Sequence, residues 1–369
     1  MTEETGDPPP VSLSPRVYES IEAALLGQRP HLTRPEVLAR TGVGLDRAHA
    51  LWQSLGFPAP SSDDEVLFTD DDVAALKTLT ALVDDGLVDP RTEYALTRSM
   101  GRSFARLAEW EITEVAMFAL SAGAEDLDDA AVEALLAGAL PAVEQLQNYI
   151  WRRHLASAIG RLLTTSRAEN AVPMAVGFAD IVGFTRRSRG LSTDELAAMV
   201  ETFEATATAV VSQHGGRVIK TIGDEVLYAC DDPVAAARVA LLLAGGHLAD
   251  EDFPQVRVGV AYGDVLRRLG DVFGETVNIA SRLTSVARPG RVLVNRALAD
   301  ALKPLDEEFR VRRTRNAVVK GYSRLETWAL KHPRTSEDRP DVAAEALEAL
   351  VELLPVPLRR NGGGDPPTD

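Results

Sequence analysis

The chain contains a single cysteine, Cys230, in 369 residues. That excludes an internal disulfide and a CxxC-type zinc site. It has no uninterrupted apolar run of about 18 residues, the length a membrane-spanning helix needs. The richest stretch, Pro233 to Gly246, is short and broken by Arg238. Basic residues are in deficit, 39 Lys and Arg against 55 Asp and Glu, for a formal net charge of −16. A protein that mainly coats nucleic acid or an anionic membrane needs the opposite balance, although a local basic patch stays open. The opening MTEETGDPPP lacks the basic end and apolar core of a secretory signal. A cytoplasmic protein with no transmembrane segment is expected.

Hydrophobic residues make up 45% and charged residues 25% of the chain, enough to build the cores of roughly two domains. The texture changes near residue 170. Residues 1–14 are Pro/Asp-rich and expected to be disordered; 15–140 read as an all-helical domain of alanine- and leucine-rich stretches broken by Gly, Pro and Asp clusters. Residues 141–170 read as a connector helix and linker, with Val143, Leu146 and Ile150 on one stripe and Trp151, Leu155 and Ile159 beside it. An ordinary last helix of the first domain fits that pattern equally well. From 171 to 332 strand-like and helix-like segments alternate in the order β-α-β-β-α-β, and 333–369 form a largely flexible extension. The fold class is α+β: a ferredoxin-like, split βαβ domain with helices on one face of the sheet, preceded by the all-α domain.

Two aspartates stand out in the second region. Asp180 closes the apolar strand VPMAVGFADI and leads into the turn Gly183-Phe184-Thr185. Asp224 sits at the tip of the hairpin RVIKTIGDEVLYAC. In a βαββ unit the first strand lies beside the hairpin, so both carboxylates can meet at one edge of the sheet. Adjacent carboxylates repel unless a cation lies between them, and hard oxygen donors without His or Cys suit Mg²⁺ or Mn²⁺ shared with a phosphate. A glycine in the first turn lets backbone N–H groups approach phosphate oxygens. Aspartate beside glycine is also ordinary turn chemistry. Taken alone, these residues leave both readings open. Likewise Asn278 and Arg282, one turn apart on TVNIASRL, fit a solvated helix face, and Lys220 fits a strand surface.

The segments VGFADIVGFT, HGGRVIKTIGDEVLYAC, VRVGVAYGDV, GDVFGETVNIASRL and VVKGYSRLETWAL, in this order, resemble the catalytic domain of the class III nucleotidyl cyclases. The resemblance implies an adenylyl cyclase that takes ATP and binds two divalent cations, Mg²⁺ or Mn²⁺. Asp180 and Asp224 match the metal pair, and Lys220 with Asp271 match the purine-reading pair. Asn278 would orient the ribose and Arg282 would neutralise charge growing on the α-phosphate. Arg257 and Lys320 match phosphate contacts, and Gly183, Phe184 and Thr185 match the phosphate-facing turn. A lysine can donate to adenine N1 and a carboxylate can accept from the N6 amine; guanine presents the opposite pattern. The resemblance further implies a head-to-tail homodimer whose two sites each draw on both copies.

LTRPEVLARTGVGLDRAHALWQSLGFP followed by FTDDDVAALKTLTALVDDG has the rhythm of a helix-turn-helix with a wing-like stretch, similar to MerR-type regulators. The acidic run Asp63-Asp64-Glu65 and Asp70-Asp71-Asp72 would repel phosphates, so DNA binding is disfavoured. The layout of a helical domain leading by a long helix into a cyclase domain resembles the actinobacterial cyclases typified by the acid-sensing mycobacterial enzyme. That implies autoinhibition relieved as pH falls. His154, flanked by Arg152 and Arg153, is the candidate switch, with a plain exposed helix histidine as the alternative. The competing reading of the whole chain is a dimeric regulator with a helix-turn-helix-like head and a cyclase-like domain lacking turnover.

Overall fold

In the computed structural model the change of texture near residue 170 becomes a division into two units between residues 166 and 167. The structure describes residues 15–121, 129–164, 171–249, 253–268, 270–319 and 322–333. The first unit contains helices α1 (Pro15–Leu25), α2 (Arg34–Thr41), α3 (Leu45–Leu55), α4 (Asp70–Asp84), α5 (Glu93–Ser121) and α6 (Asp129–Thr164). Caps set several boundaries. The Thr33 N–H donates to the Glu36 carboxylate at 2.8 Å where α2 begins, and Gly42 ends that helix at φ 72°. Thr69 and Asp72 repeat the device at 2.7 Å before α4. The Asp70-Asp71-Asp72 run therefore occupies a first helical turn, where the dipole favours negative charge. The stretch read as a connector is the C-terminal part of α6, which runs on through Pro141.

This unit is mainly helical but not all-α, which corrects that expectation. Strands β1 (Leu32–Thr33) and β2 (Val66–Phe68) form an antiparallel ribbon, pinned by Leu32 and Phe68 packing with Val37 and Val73. Strands of two or three residues are too short for alternation to reveal. With α2 and α3 the ribbon has the outline of a winged helix-turn-helix. Its basic side chains are already engaged: Arg40 pairs with Asp70 at 2.7 Å, Arg47 with the buried Glu93 at 2.7 Å, and Arg34 with Asp63.

The second unit is built on an eight-stranded sheet. Its strands are β3 (Ala171–Ile181), β4 (Arg217–Ile222), β5 (Glu225–Cys230), β6 (Val256–Arg268), β7 (Asp271–Phe273), β8 (Val292–Val294), β9 (Arg310–Arg313) and β12 (Trp328–Lys331). The order is β4-β5-β3-β6-β8-β12-β9, with β7 also on β6. A separate ribbon joins β10 (Ala317–Val319) to β11 (Tyr322–Leu325). The strands β3, β4, β5 and β6, with α8 (Thr193–Gln213) and α9 (Pro233–Ala249) between them, give the split βαβ order expected.

Helices cover both faces rather than one, a second correction. Along β3, Ala175, Ala179 and Ile181 belong to the cluster with Phe203 and Val210 of α8 and Val239 and Leu243 of α9. The alternating set Met174, Val176 and Phe178 belongs instead to the cluster with Ala280 and Leu283 of α10 (Glu275–Val286). A strand apolar on both faces must be covered on both. Helix α10 is seated by Thr276 Oγ1, which donates to the Asp264 carbonyl at 2.8 Å, and by Thr284 Oγ1, which donates to the Phe178 carbonyl at 3.3 Å. Its backbone lies so close to β6 that a Cβ on Gly259 would come within 2.2 Å of the Thr284 nitrogen and 2.6 Å of the Ala280 oxygen. Those are backbone atoms and cannot rotate away. Gly259→Ala is expected to lower unfolding free energy by about 1–3 kcal/mol in urea titrations. An unchanged midpoint would show that α10 is not so tightly seated.

Candidate active site

Strand parity assembles the site. Asp180 shares the α10 face of β3 with Phe178, and the pairing of strands sets Glu225 opposite it on β5 and Arg257 opposite it on β6. The β4–β5 hairpin turns through Gly223, at φ 64°, and Asp224. The Ile181 N–H donates to the Asp224 carbonyl at 3.1 Å, which anchors the hairpin tip beside the end of β3. Three carboxyl groups and one guanidinium therefore meet at one end of the sheet.

Their electrostatics follow from that crowding. Asp180 is 9% exposed, and burial, with the Asp224 carboxyl beside it, raises its pKa. Arg257 opposes the rise: its Nε donates to Asp180 Oδ2 at 2.5 Å, while its Nη1 donates to the Ser285 carbonyl at 3.0 Å. Glu225 is pushed up to about 7, first by burial and then by the charges of Asp180 and Asp224. Among the described residues no three His, Cys, Asp or Glu side chains are arranged to hold an ion by themselves. The adjacent Asp180 and Asp224 carboxyls are hard, anionic oxygen donors, chemistry that fits a divalent cation whose coordination phosphate oxygens would complete.

The candidate residues on β4 and β7 form an ion pair. Lys220 Nζ donates to Asp271 Oδ2 at 2.5 Å, joining β4 to β7. A register shift between Val218 and Lys220 makes this possible. Val218 faces Tyr228, whereas Lys220 faces Leu227, which lies on the α10 side. Helix α10 buries Thr276, Ala280, Leu283 and Thr284 against the sheet. Asn278, by contrast, is exposed, and Arg282 is half-buried. Gly183 takes φ 72° and starts the short helix α7 (Phe184–Arg187), where the first-turn amides of Phe184 and Thr185 have no intrahelical acceptor. Lys320 lies outside the described residues. The structure thus groups Asp180, Asp224 and Arg257 at the strand ends, joins Lys220 to Asp271, and sets Asn278 and Arg282 on one helix. His154 is exposed on α6 of the first unit.

Two participants escaped the sequence reading. Glu225 directly follows Asp224, and its cross-strand position opposite Asp180 was available from hairpin parity. The Ser285 carbonyl, which ties Arg257 to α10, acts through the backbone and leaves no sequence signal.

Residues 166–332 match the adenylate and guanylate cyclase catalytic domain. An adenylate cyclase of Streptomyces coelicolor is 41% identical over 290 residues, covering 76% of this chain and 74% of its own length. An adenylate cyclase of Glutamicibacter nicotianae is 38% identical over 331 residues, 84% of this chain and 81% of its own. A pH-sensitive adenylate cyclase of Mycobacterium tuberculosis is 30% identical over 280 residues, 74% and 70% respectively. Alignments of this length exceed the second unit and run into the first.

Proposed function

The chain belongs to the adenylate and guanylate cyclase family, and on that premise we propose that it converts ATP to 3′,5′-cyclic AMP and pyrophosphate. The observation that carries the substrate assignment is the Lys220–Asp271 pair, joined at 2.5 Å. Opened by the base, it offers a donor for adenine N1 and an acceptor for the N6 amine. Guanine, with a carbonyl at position 6 and a protonated N1, would leave both groups mismatched, which a partly buried site penalises strongly.

Asp180 and Asp224 would hold the divalent cations. When bound, these supply a lowered pKa at the ribose 3′-hydroxyl and screening of the triphosphate. Asn278 orients the ribose so that its 3′-oxygen lies in line with the α-phosphorus. Arg282 supplies fixed positive charge where the α-phosphate gains negative charge, the largest expected contribution to rate. The amides of Gly183, Phe184 and Thr185 steady the phosphates. Lys320 and Arg257 take up the leaving pyrophosphate; for Arg257 this requires release of Asp180. Exposure of Asn278, while the other side of α10 is buried on its own sheet, supports a head-to-tail homodimer. In that dimer Lys220, Asp271, Asn278 and Arg282 of one copy meet the carboxylates of the other. The test is turnover of ATP with Mn²⁺: cyclic AMP is expected, with a loss of at least about 10²-fold in Asp180→Ala. No product from the unaltered chain would defeat the proposal.

The first unit acts as a restraint on the second, and His154 contributes to its release in acid. The similarity to a pH-sensitive relative supports this reading. Activity of the full chain, of His154→Ala and of a chain starting near residue 170 should be compared across about pH 5.5–8. The shortened chain is expected to lose the acid response and His154→Ala to blunt it; superimposable curves for His154→Ala would remove it as the sensor. The alternative, a dimeric regulator without turnover, draws on the winged outline of the first unit. It is opposed by the engagement of Arg34, Arg40 and Arg47 with carboxylates.

A further inference from the structure

Helix α9 is apolar nearly all round: after Pro233 only Arg238 and His247 interrupt a run of Ala, Val, Leu and Gly that ends at Ala249. Such a helix belongs inside, covered on every side. One side is covered, and there Val239 and Leu243 are fully buried. Leu241, Gly245 and Leu248, spaced four and three apart, instead line an open groove of about 750 Å³, with Val292 of β8 and Leu330 of β12 at its base. Leu248 is 89% exposed, and a Cβ added to Gly245 would meet nothing within 4 Å. The rim is basic, formed by Arg291, Lys331 and His332.

We infer that this groove is filled by the chain's own residues 341–354, docked as an amphipathic helix. The segment lies outside the described residues, and three observations select it. First, its sequence, DVAAEALEALVELL, begins after Pro340 and stops before Pro355, the punctuation of a helix. At about 100° per residue, Val342, Ala346, Leu350 and Leu353 share one face, and Asp341, Glu345, Glu348 and Glu352 form a stripe beside it. Fourteen residues make about 21 Å of helix, against about 25 Å for the 17 of α9. Second, the segment carries four carboxylates and no Lys or Arg, which complements a rim of Arg291, Lys331 and His332. The same stripe would be repelled by an anionic membrane. Third, Lys331 ends β12 at the rim itself, and only the eight residues 333–340 separate His332 from Asp341. Their reach is at most about 28 Å. So short a tether holds the segment over the groove at roughly millimolar effective concentration, ahead of a second copy's segment in dilute solution.

Strand pairing places the groove. Leu330 lies opposite Val292, and Val292 opposite Val258, while the Gly290 N–H donates to the Val256 carbonyl at 2.8 Å. The groove is therefore at the Asp180 end of the sheet, on the α9 face rather than the α10 face. A segment seated there braces the strand ends that carry Asp180 and Arg257 without touching a nucleotide, so the inference does not rest on the proposed reaction.

Cysteine chemistry provides the test. Cys230 is buried and its thiol is pushed up to about 12, so an introduced cysteine is the reactive one. Leu248→Cys and, as an exposed control in the first unit, Ser61→Cys would each be labelled with a maleimide in the full chain. Labelling of Leu248→Cys is expected to be at least tenfold slower than the control, and to reach the control's rate once Leu350→Glu and Leu353→Glu are added. Fast labelling without those changes would overturn the inference. Slow labelling that persists with them would give the groove another cover and overturn it too. Protection that fades on dilution would assign the segment to a second copy, again overturning it. Should Leu248→Cys fold poorly, Gly245→Glu provides the second reading, because it places bulk and negative charge in the groove where nothing at home obstructs it. Amide hydrogen exchange across residues 341–354 is expected to be at least tenfold faster in Gly245→Glu than in the unaltered chain. Equal exchange in the two would count against the inference. Cyclic AMP formation, measured in parallel, is independent: its absence would defeat the proposed activity and leave the docking result standing.

Discussion

Chains carrying Asp180→Ala and chains carrying Asn278→Ala, each inactive alone, are expected to regain cyclase activity when mixed. The carboxylate end and the α10 end of the site belong to opposite copies in the proposed dimer. A mixed dimer then has one site that lacks both groups and one that is intact. Free exchange makes half the dimers mixed, with one good site in each, so an equal mixture should reach about a quarter of the unaltered activity. Asp180→Ala removes a carboxylate that is 9% exposed, and Asn278→Ala removes an exposed helix side chain, so the second should leave the fold intact. If a single copy completed its own site, the mixture would stay as inactive as its components. The assay should follow cyclic AMP against the ratio of the two chains, because a peak at equal amounts is the signature of shared sites.

Lys220→Glu combined with Asp271→Cys is expected to turn the preference from ATP toward GTP. The pair is joined at 2.5 Å and its side chains are 38% and 28% exposed, so a base bound there would be partly shielded from water. Glutamate accepts from the protonated N1 and the amine of guanine, and a thiol can donate to its carbonyl. Sites built to hydrogen-bond a substrate reject a mismatched one by about 10⁴-fold or more when buried. A partly exposed pair should give less, and a fall of about 10²–10³ in kcat/KM for ATP is expected. GTP should rise above ATP in the double variant. The single change Lys220→Ala should lose ATP turnover without gaining GTP, since it removes a donor and supplies nothing for guanine. A double variant that still prefers ATP would move purine recognition elsewhere.

Much of this was legible because chemistry and periodicity agree in the second unit. The apolar run before Asp180, the Gly223-Asp224 tip and the Asn278/Arg282 spacing each survive translation into three dimensions. Faces were harder. Strict alternation puts Val218 and Lys220 on one side of β4, and only the register shift between them turns Lys220 toward Asp271. A one-residue irregularity has no sequence signature here, yet it decides whether the Lys220–Asp271 pair forms. Placement of helices on one face failed for a related reason. The run Met174 to Ile181 is apolar on both sides, and what covers the second side is α10, more than 90 residues later. The ribbon of β1 and β2 escaped because strands of two and three residues carry no pattern. Arg257 matched a phosphate contact by its motif, while the structure sets it on Asp180 and the Ser285 carbonyl, partners fixed by the pairing of β3 with β6 and by the end of α10.

The most direct measurement is product analysis of the full chain given equal concentrations of ATP and GTP with Mn²⁺, resolving cyclic nucleotides and pyrophosphate by chromatography and mass. 3′,5′-Cyclic AMP and pyrophosphate are expected in equal amounts, with cyclic GMP a minor product at most and neither cyclic nucleotide from Asp224→Ala. Phosphate release without a cyclic product, cyclic GMP in excess, or undiminished turnover in Asp224→Ala would contradict adenylyl cyclase activity at this site.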